Sequence, residues 1–203
     1  TSGHSVHFDL DYGNFRRRGR SYQPNYYWNQ DETAITSEAI YKSNTANAIH
    51  IYSGKADYEQ NLLKGKLGAG IKSALVKTDN DFQFYDVVNN IDTLNVNRTN
   101  RFVYSENVNA AYLNFSKAFE KWSFQMGIRA EHTHSKGMLS SATPQNDDTV
   151  EREYLNFFPS AGFSYTLNSK HQIGITYSRR IDRPNYQDLN PFEIKLDDLP
   201  YQN

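Results

Sequence analysis

Residues 121–131 read Lys-Trp-Ser-Phe-Gln-Met-Gly-Ile-Arg-Ala-Glu, and this stretch decides the fold. Apolar side chains occupy every second position from Trp122 to Ala130, and polar or small residues fill the positions between them. Successive side chains of a β-strand point to opposite faces. The segment therefore predicts a strand with one apolar face and one polar face.

The same alternation recurs along the chain and predicts an all-β protein of about seven strands. Five of the segments alternate cleanly, whereas two are recognised mainly by a few apolar residues. Those two are the strand around Ile49 and Ile51 and the strand around Leu113. The seven segments are 5–12, roughly 47–59, 66–76, roughly 101–117, 121–131, 158–167 and 171–178.

Short and long polar connections alternate strictly between these strands. An antiparallel up-and-down meander would place all the short turns at one end and all the long loops at the other, as transmembrane barrels do. Within the first long segment, residues 33–44 are expected to form one or two helical turns. Short turns are expected at 60–65, 118–121 and 168–170, and long loops at 14–45, 78–100 and 135–151.

Composition narrows the function classes. The 203 residues include no cysteine, which excludes disulfides and cysteine-ligated zinc. A net charge of -1 gives no reason to expect nucleic acid as a partner. No apolar run reaches the ~18 residues that a membrane-spanning helix needs. The 14% of aromatic residues argues against a disordered chain.

Strand length and aromatic placement favour a membrane barrel over a soluble sandwich or lipocalin-like barrel, although the alternation alone leaves both open. A tilted membrane strand needs ~9–11 residues, and several segments reach that length. Aromatic girdles mark both membrane interfaces of such barrels. The residues expected to form them are Tyr58, Phe119, Trp122 and Tyr165 near the turns, and Phe102, Tyr104, Phe157 and Phe158 near the loops.

Several motifs closely resemble the outer-membrane β-barrel family of TonB-dependent-receptor type found in Bacteroidetes bacteria. The longest is Tyr-Ser-Arg-Arg-Ile-Asp-Arg-Pro-Asn-Tyr-Gln-Asp-Leu-Asn-Pro-Phe at 177–192. Shorter ones are Ile-Tyr-Ser-Gly-Lys-Ala-Asp-Tyr at 51–58, Arg-Ala-Glu-His-Thr at 129–133 and Phe-Phe-Pro-Ser at 157–160. The resemblance extends over nearly the whole chain.

This resemblance implies a larger barrel of about 22 strands with a plugged lumen in the cell outer membrane, taking up large nutrients or chelates. The implied partners are outer-membrane lipid and lipopolysaccharide, and the energy-coupling system through a plug. The chain shows no plug domain, no energy-coupling box and no final strand, and both ends look truncated. We therefore expect residues 1–203 to be a partial barrel domain.

The 177–192 motif contains residues that the resemblance marks without giving them a role. Its prolines are expected to stop strand pairing, and its arginines to pair with nearby aspartates. A structural role in shaping an outer loop or its lumen face is favoured over ligand contact. The marked residues are Arg179, Arg180, Arg183, Pro184, Asp188, Asn190 and Pro191.

Three further motifs resemble known sites without meeting the requirements of those sites. The glycine-rich run 65–73 looks like a phosphate loop but lies within a predicted strand. His132 and His134 share a face but have no third metal ligand nearby. The run 79–81 begins like a calcium loop, which its later positions do not support. No cofactor is expected, and no enzyme signature is present.

The basic cluster 16–20 is placed at the loop end of the first strand. A solvated turn is favoured there, with contact to lipopolysaccharide phosphates as the sharper hypothesis. The leading function is thus a segment of an outer-membrane receptor or transporter barrel for nutrient uptake. The alternative is a soluble β-sheet carbohydrate-binding module, and an outer-membrane enzyme comes third.

Overall fold

A single antiparallel sheet dominates the computed structural model, which describes residues 3–142, 148–182, 194–195 and 201–202. Its strands follow one another in chain order as an up-and-down meander, and a short strand pairs outside this path. None of the described residues forms a helix long and apolar enough to cross a membrane.

The elements follow in chain order. Within the described residues, seven strands form the meander, as predicted, and β4 adds a hairpin to β3. The elements are β1 (His4–Trp28), β2 (Ile35–Leu62), β3 (Gly65–Val88), β4 (Ile91–Leu94), a 3-10 turn (Val96–Arg98), β5 (Asn100–Ala118), β6 (Trp122–Ser141), β7 (Thr149–Asn168), β8 (His171–Ser178), β9 (Ile194–Lys195) and β10 (Tyr201–Gln202).

The strands are far longer than the alternation predicted. The segments 14–45, 78–100 and 135–151 were expected to be long loops, yet most of each lies in hydrogen-bonded strands. The helical turns expected at 33–44 are wrong for the same reason, because residues from Ile35 onward form β2. Polar residues on both faces do not prevent pairing, since the ladder bonds come from the backbone.

The three short turns lie at one end of the sheet, as predicted. They join β2 to β3, β5 to β6 and β7 to β8. In the first of them, Leu63 and Lys64 both have positive φ, at 54° and 60°. That is the geometry of a type I′ hairpin, which matches the right-handed twist of the two strands.

The convex face of the sheet carries the apolar alternation. Leu10 on β1 is 87% exposed and Ile175 on β8 is 72% exposed, as lipid-facing side chains of a barrel are. Cross-strand pairs place the other members on the same face. They include Val6, Phe8, Tyr12, Tyr52, Tyr58, Leu67, Ile71, Leu113, Phe115, Trp122, Phe124, Met126, Ile128, Phe157, Phe163, Tyr165, Ile173 and Tyr177.

This apolar band covers only the turn-end half of the long strands. On β1 it ends at Tyr12, and on β3 it ends at Leu75. Beyond it, both strands continue for more than ten residues, and the convex face becomes polar, from Asn14 to Arg20 on β1 and from Lys77 to Gln83 on β3. The part of the sheet away from the three short turns therefore extends past the hydrocarbon layer that the band can fill.

The concave face contains the packed core. Apart from two glycines, the described part has ten buried residues, and all of them point to this side, where curvature crowds the side chains. Phe102, Tyr104 and Leu139 form its apolar centre. The expectation that Phe102, Tyr104 and Phe158 join an outer aromatic girdle is wrong, because their positions in the register turn them inward.

The aromatic girdle at the turn end is present. The rings of Phe119 and Trp122 stack with centroids 3.8 Å apart, and Phe163 lies 6.0 Å from the indole of Trp122. Tyr165 pairs with Trp122 across β6 and β7. At the upper edge of the band, Tyr12 and Tyr52 lie 5.1 Å apart and take the place of the wrongly assigned residues.

Candidate functional site

The concave face is the candidate site, and at its turn end it presents only small or polar side chains. These side chains surround an open recess between β3 and β8. The hydroxyls of Ser123 and Ser164 lie 2.8 Å apart across β6 and β7. The other residues around the recess include Asn61, Lys66, Ser116, Gln125, Gly162, Gly174 and Thr176. Such a lining leaves space for water or for a polar solute.

A charged network crosses the concave face at mid-height. The phenol of Tyr112 on β5 donates to the carboxylate of Asp57 on β2, and Lys55 forms an ion pair with the same carboxylate. Asp9 on β1 lies opposite Lys55 and adds a second negative charge. The network thus ties together three strands that are not all adjacent in sequence.

A second ion pair continues this network along β6. The guanidinium of Arg129 lies 2.6 Å from the carboxylate of Glu131, whose side chain is only 7% exposed. Tyr112 is the direct cross-strand partner of Arg129, so the two networks adjoin. Buried charges persist only when they are paired, and this row therefore fixes the middle of the concave face.

The loop-end part of the concave face is aromatic. Arg98, in the 3-10 turn, lies over the ring of Phe84 at 3.8 Å and over that of Tyr41 at 4.9 Å. The hydroxyl of Tyr104 donates to Glu106 at 2.9 Å. Burial, with the Glu106 carboxylate adding to it, raises the pKa of Tyr104 to about 12. The phenol therefore remains a hydrogen-bond donor at neutral pH.

The two histidines considered as metal ligands, His132 and His134, lie on the convex face. His132 bonds Glu153 at 2.9 Å, and His134 bonds Glu151 at 2.8 Å. Each histidine thus has a carboxylate partner on β7, just above the apolar band. In the residues that the structure describes, no group of three side chains could hold a metal ion.

The run Asp79-Asn80-Asp81 lies within β3, so a calcium-loop conformation is wrong. Both oxygens of Asp79 accept hydrogen bonds from Arg101, at 2.8 Å and 2.5 Å. The Arg101 guanidinium holds the pKa of the Asp79 carboxyl below its usual range. The glycine-rich run 65–73 lies in the same strand, as predicted.

The basic cluster of β1 does not lie at the end of that strand, because β1 continues to Trp28. Cross-strand pairing places Arg16, Arg18 and Arg20 on the convex face, and Arg17 on the concave one. The expected position at the loop end is therefore wrong. The arginines lie on the outer wall, directly above the apolar band.

The residues marked by the 177–192 motif fall largely outside the described residues. Arg179 and Arg180 follow β8 and are exposed, and the backbone amide of Arg179 donates to the carbonyl of Pro159 at 3.1 Å. The structure brings neither side chain into the networks above. Arg183, Pro184, Asp188, Asn190 and Pro191 lie outside the described residues.

Sequence reasoning missed the mid-height network of Lys55, Asp57, Tyr112, Arg129 and Glu131. Each lies on the polar side of its strand, where alternation records only that the face is not apolar. A usable signal was present, because Gly70 stands directly opposite Tyr112. A glycine opposite a large polar aromatic residue indicates that its ring can lie across the neighbouring strand.

Comparisons with known proteins show what this architecture is similar to. No curated protein is similar enough in sequence to be matched. A solved structure of the ferric citrate transporter FecA, in its unliganded form, is similar with a TM-score of 0.47 and 12% identity. The alignment covers 77% of this chain and 26% of that one, so the chain spans about a quarter of that transporter's length.

The match to a family model is complete. The model of the outer membrane protein beta-barrel family covers residues 1–203. The outer-membrane location of this family agrees with the exposed apolar band, because such a band requires contact with lipid. The same location rules out the alternative of a soluble carbohydrate-binding module. The chain therefore lies in the outer membrane and belongs to the outer membrane protein beta-barrel family.

Proposed function

We propose that this chain forms part of the wall of an outer-membrane receptor or transporter barrel for nutrient uptake. The observation that supports it is the contrast between the two faces of the sheet. The convex face is apolar over the height of the membrane, and the concave face is polar at the same height. A polar inner face lines the lumen of membrane barrels and is where a nutrient would be bound or passed.

The proposal includes a barrel larger than this sheet. In the described part, β1 pairs only with β2 and β8 pairs only with β7, so both edges of the sheet are open. An open edge exposes unpaired backbone groups, which a membrane does not tolerate. We infer that residues 1–203 are a partial barrel domain and that further strands of the same protein close it.

Energy coupling belongs to the same proposal. Family resemblance to TonB-dependent receptors suggests a plug inside the completed barrel and a drive from the inner membrane. The small polar recess near Ser164 and Thr176 would offer such a plug a surface to pack against. In this proposal the chain binds nutrients and lets them pass, and it breaks no bond in them.

The test is uptake by cells that lack the full-length protein. Their growth would be measured on a panel of large nutrients and metal chelates, and the defective nutrient would then be followed as a radiolabelled probe. Loss of uptake that the wild-type gene restores supports the proposal. A deletion strain that takes up every member of the panel at the wild-type rate would overturn it.

Two adjacent residues provide a matched pair of variants. Ser164→Trp places a large ring on the concave face, whereas Phe163→Trp replaces one ring by another on the convex face. We expect only the first to reduce uptake, because only the first narrows the lumen. Equal uptake by both variants would argue against passage along this face.

A further inference from the structure

An apolar groove crosses the convex face over β2, β3, β5 and β6. Its floor is made of small residues, among them Gly54, Ala56, Ala111 and Ala130. Leu10 leans over one side, since a Cβ at Gly54 would lie 3.3 Å from its terminal carbon. Leu155 stands at the far side on β7. The groove lies within the apolar band, where the acyl chains of the membrane lie.

A cationic recess lies farther along the same face, above the apolar band. Ala46 and Ala48 of β2 form its floor, and Arg16 and Arg18 of β1 form one wall. The opposite wall is formed by Asp79, Asp81 and Arg101. Two arginines that converge on a floor of alanines leave space for an anion between them.

Arg16 and Arg18 bring two positive charges to the recess. Arg101 occupies both oxygens of Asp79, which is one of the two carboxylates in the opposite wall. In the described residues, neither Arg16 nor Arg18 has a carboxylate oxygen within 4.0 Å. A guanidinium binds phosphate through two parallel hydrogen bonds, so the recess fits a phosphate group.

The groove and the recess share strand β2. Gly54 and Ala48 are six residues apart, which is about 20 Å along a strand. Tyr52 lies between them on the same face, at the level where aromatic side chains mark a membrane interface. An amphipathic molecule lying along β2 would place its chain below this tyrosine and its headgroup above it.

The short-turn end of a membrane barrel faces the periplasm, so the recess faces the cell exterior. We propose that the groove and the recess together bind one lipopolysaccharide molecule of the outer leaflet. An acyl chain occupies the groove over Gly54 and Ala56, and a lipid A phosphate binds Arg16 and Arg18. This inference rests on membrane location and does not depend on transport.

The test measures binding of purified lipid A, carrying both phosphates, to the detergent-solubilised full-length protein. Native mass spectrometry reports the bound fraction. We expect R16Q/R18Q to weaken binding at least tenfold. The control R152Q/K66Q removes two exposed cations from the concave face, at residues that line neither the groove nor the cationic recess, and should leave binding unchanged.

The groove has its own variants. A56L/A130L fills it, whereas A69L adds the same bulk to the convex face outside it. We expect weaker binding only from the first. Retention of the gel shift between unheated and boiled samples shows that each variant is folded.

A comparison of different lipids on the wild-type protein tests the proposal without relying on the folding of any variant. Wild-type protein should bind dephosphorylated lipid A at least tenfold more weakly than the phosphorylated form. Equal binding of the two, or equal binding of phosphatidylglycerol and lipid A, would overturn the proposal. So would equal losses from R16Q/R18Q and from its concave-face control.

Discussion

Tyr112 lies across Gly70, the residue directly opposite it on the neighbouring strand. A Cβ at Gly70 would overlap the phenol and would stand 2.7 Å from the carboxylate of Asp57. The missing side chain thus opens the path by which Tyr112 reaches Asp57 on the strand beyond. One glycine therefore determines whether the charged network at mid-height can form.

Gly70→Val should destabilise the barrel by about 1–3 kcal/mol, because the new side chain overpacks the network and displaces the phenol. The measurement is the temperature at which the full-length protein loses its unheated gel mobility. Gly19→Val is the matched control, since nothing lies within 4 Å of a Cβ there. In a Tyr112→Ala background the effect of Gly70→Val should shrink, and equal effects in both backgrounds would refute this role of Gly70.

The apolar band was predictable because lipid imposes a strict rule. Side chains facing hydrocarbon must be apolar, and those facing the lumen need not be, so alternation appears wherever a strand crosses the band. The segment 121–131 shows this alternation because those residues of β6 cross the band. The same physical rule explains why the seven strands of the meander could be counted.

The strand extensions were not predictable from alternation. Beyond Tyr12 on β1, polar residues from Asn14 to Arg20 occupy the convex face, so the apolar period stops there even though the backbone ladder continues to Trp28. Ile49 and Ile51 are apolar, but they do not belong to the apolar band. They point to the concave face, opposite Thr78 and Val76, and contribute to inner packing rather than to the band.

Replacing Leu63-Lys64 by Asn-Gly should stabilise the protein by about 1–2 kcal/mol. Both residues occupy the left-handed region, which costs non-glycine residues on the order of 1 kcal/mol each and which Asn-Gly adopts readily. Denaturant unfolding of the full-length protein in detergent checks this. The control is Asn90→Gly in the β3–β4 hairpin, where Asn89 and Asn90 already tolerate positive φ, and a much smaller gain is expected.

Single cysteines should distinguish the two faces, since the chain has no cysteine of its own. In membranes, a charged maleimide should label Thr176→Cys on the concave face and spare Ile175→Cys on the convex one. A lipid-soluble maleimide should label the second. Labelling of both positions by the charged reagent would contradict a membrane-spanning β8.

Asp79 gives a pH dependence whose sign follows from Arg101. Because the guanidinium lowers the folded-state pKa of the Asp79 carboxyl below the ordinary 3.8, the pair stabilises the protein fully only above that value. The contribution is lost as the pH falls through the lower folded-state pKa. Both side chains are well exposed, so we expect less than about 1 kcal/mol.

Asp79→Asn tests this pair. The stability difference between the wild-type protein and Asp79→Asn should be largest near neutral pH and should vanish in acid, as measured by denaturant unfolding in detergent at each pH. Asp92→Asn serves as the comparison, because Asp92 forms a second exposed ion pair, with Lys42, at the β3–β4 hairpin. A stability gap for Asp79→Asn that grows as the pH falls would reverse the sign and rule out the pairing with Arg101.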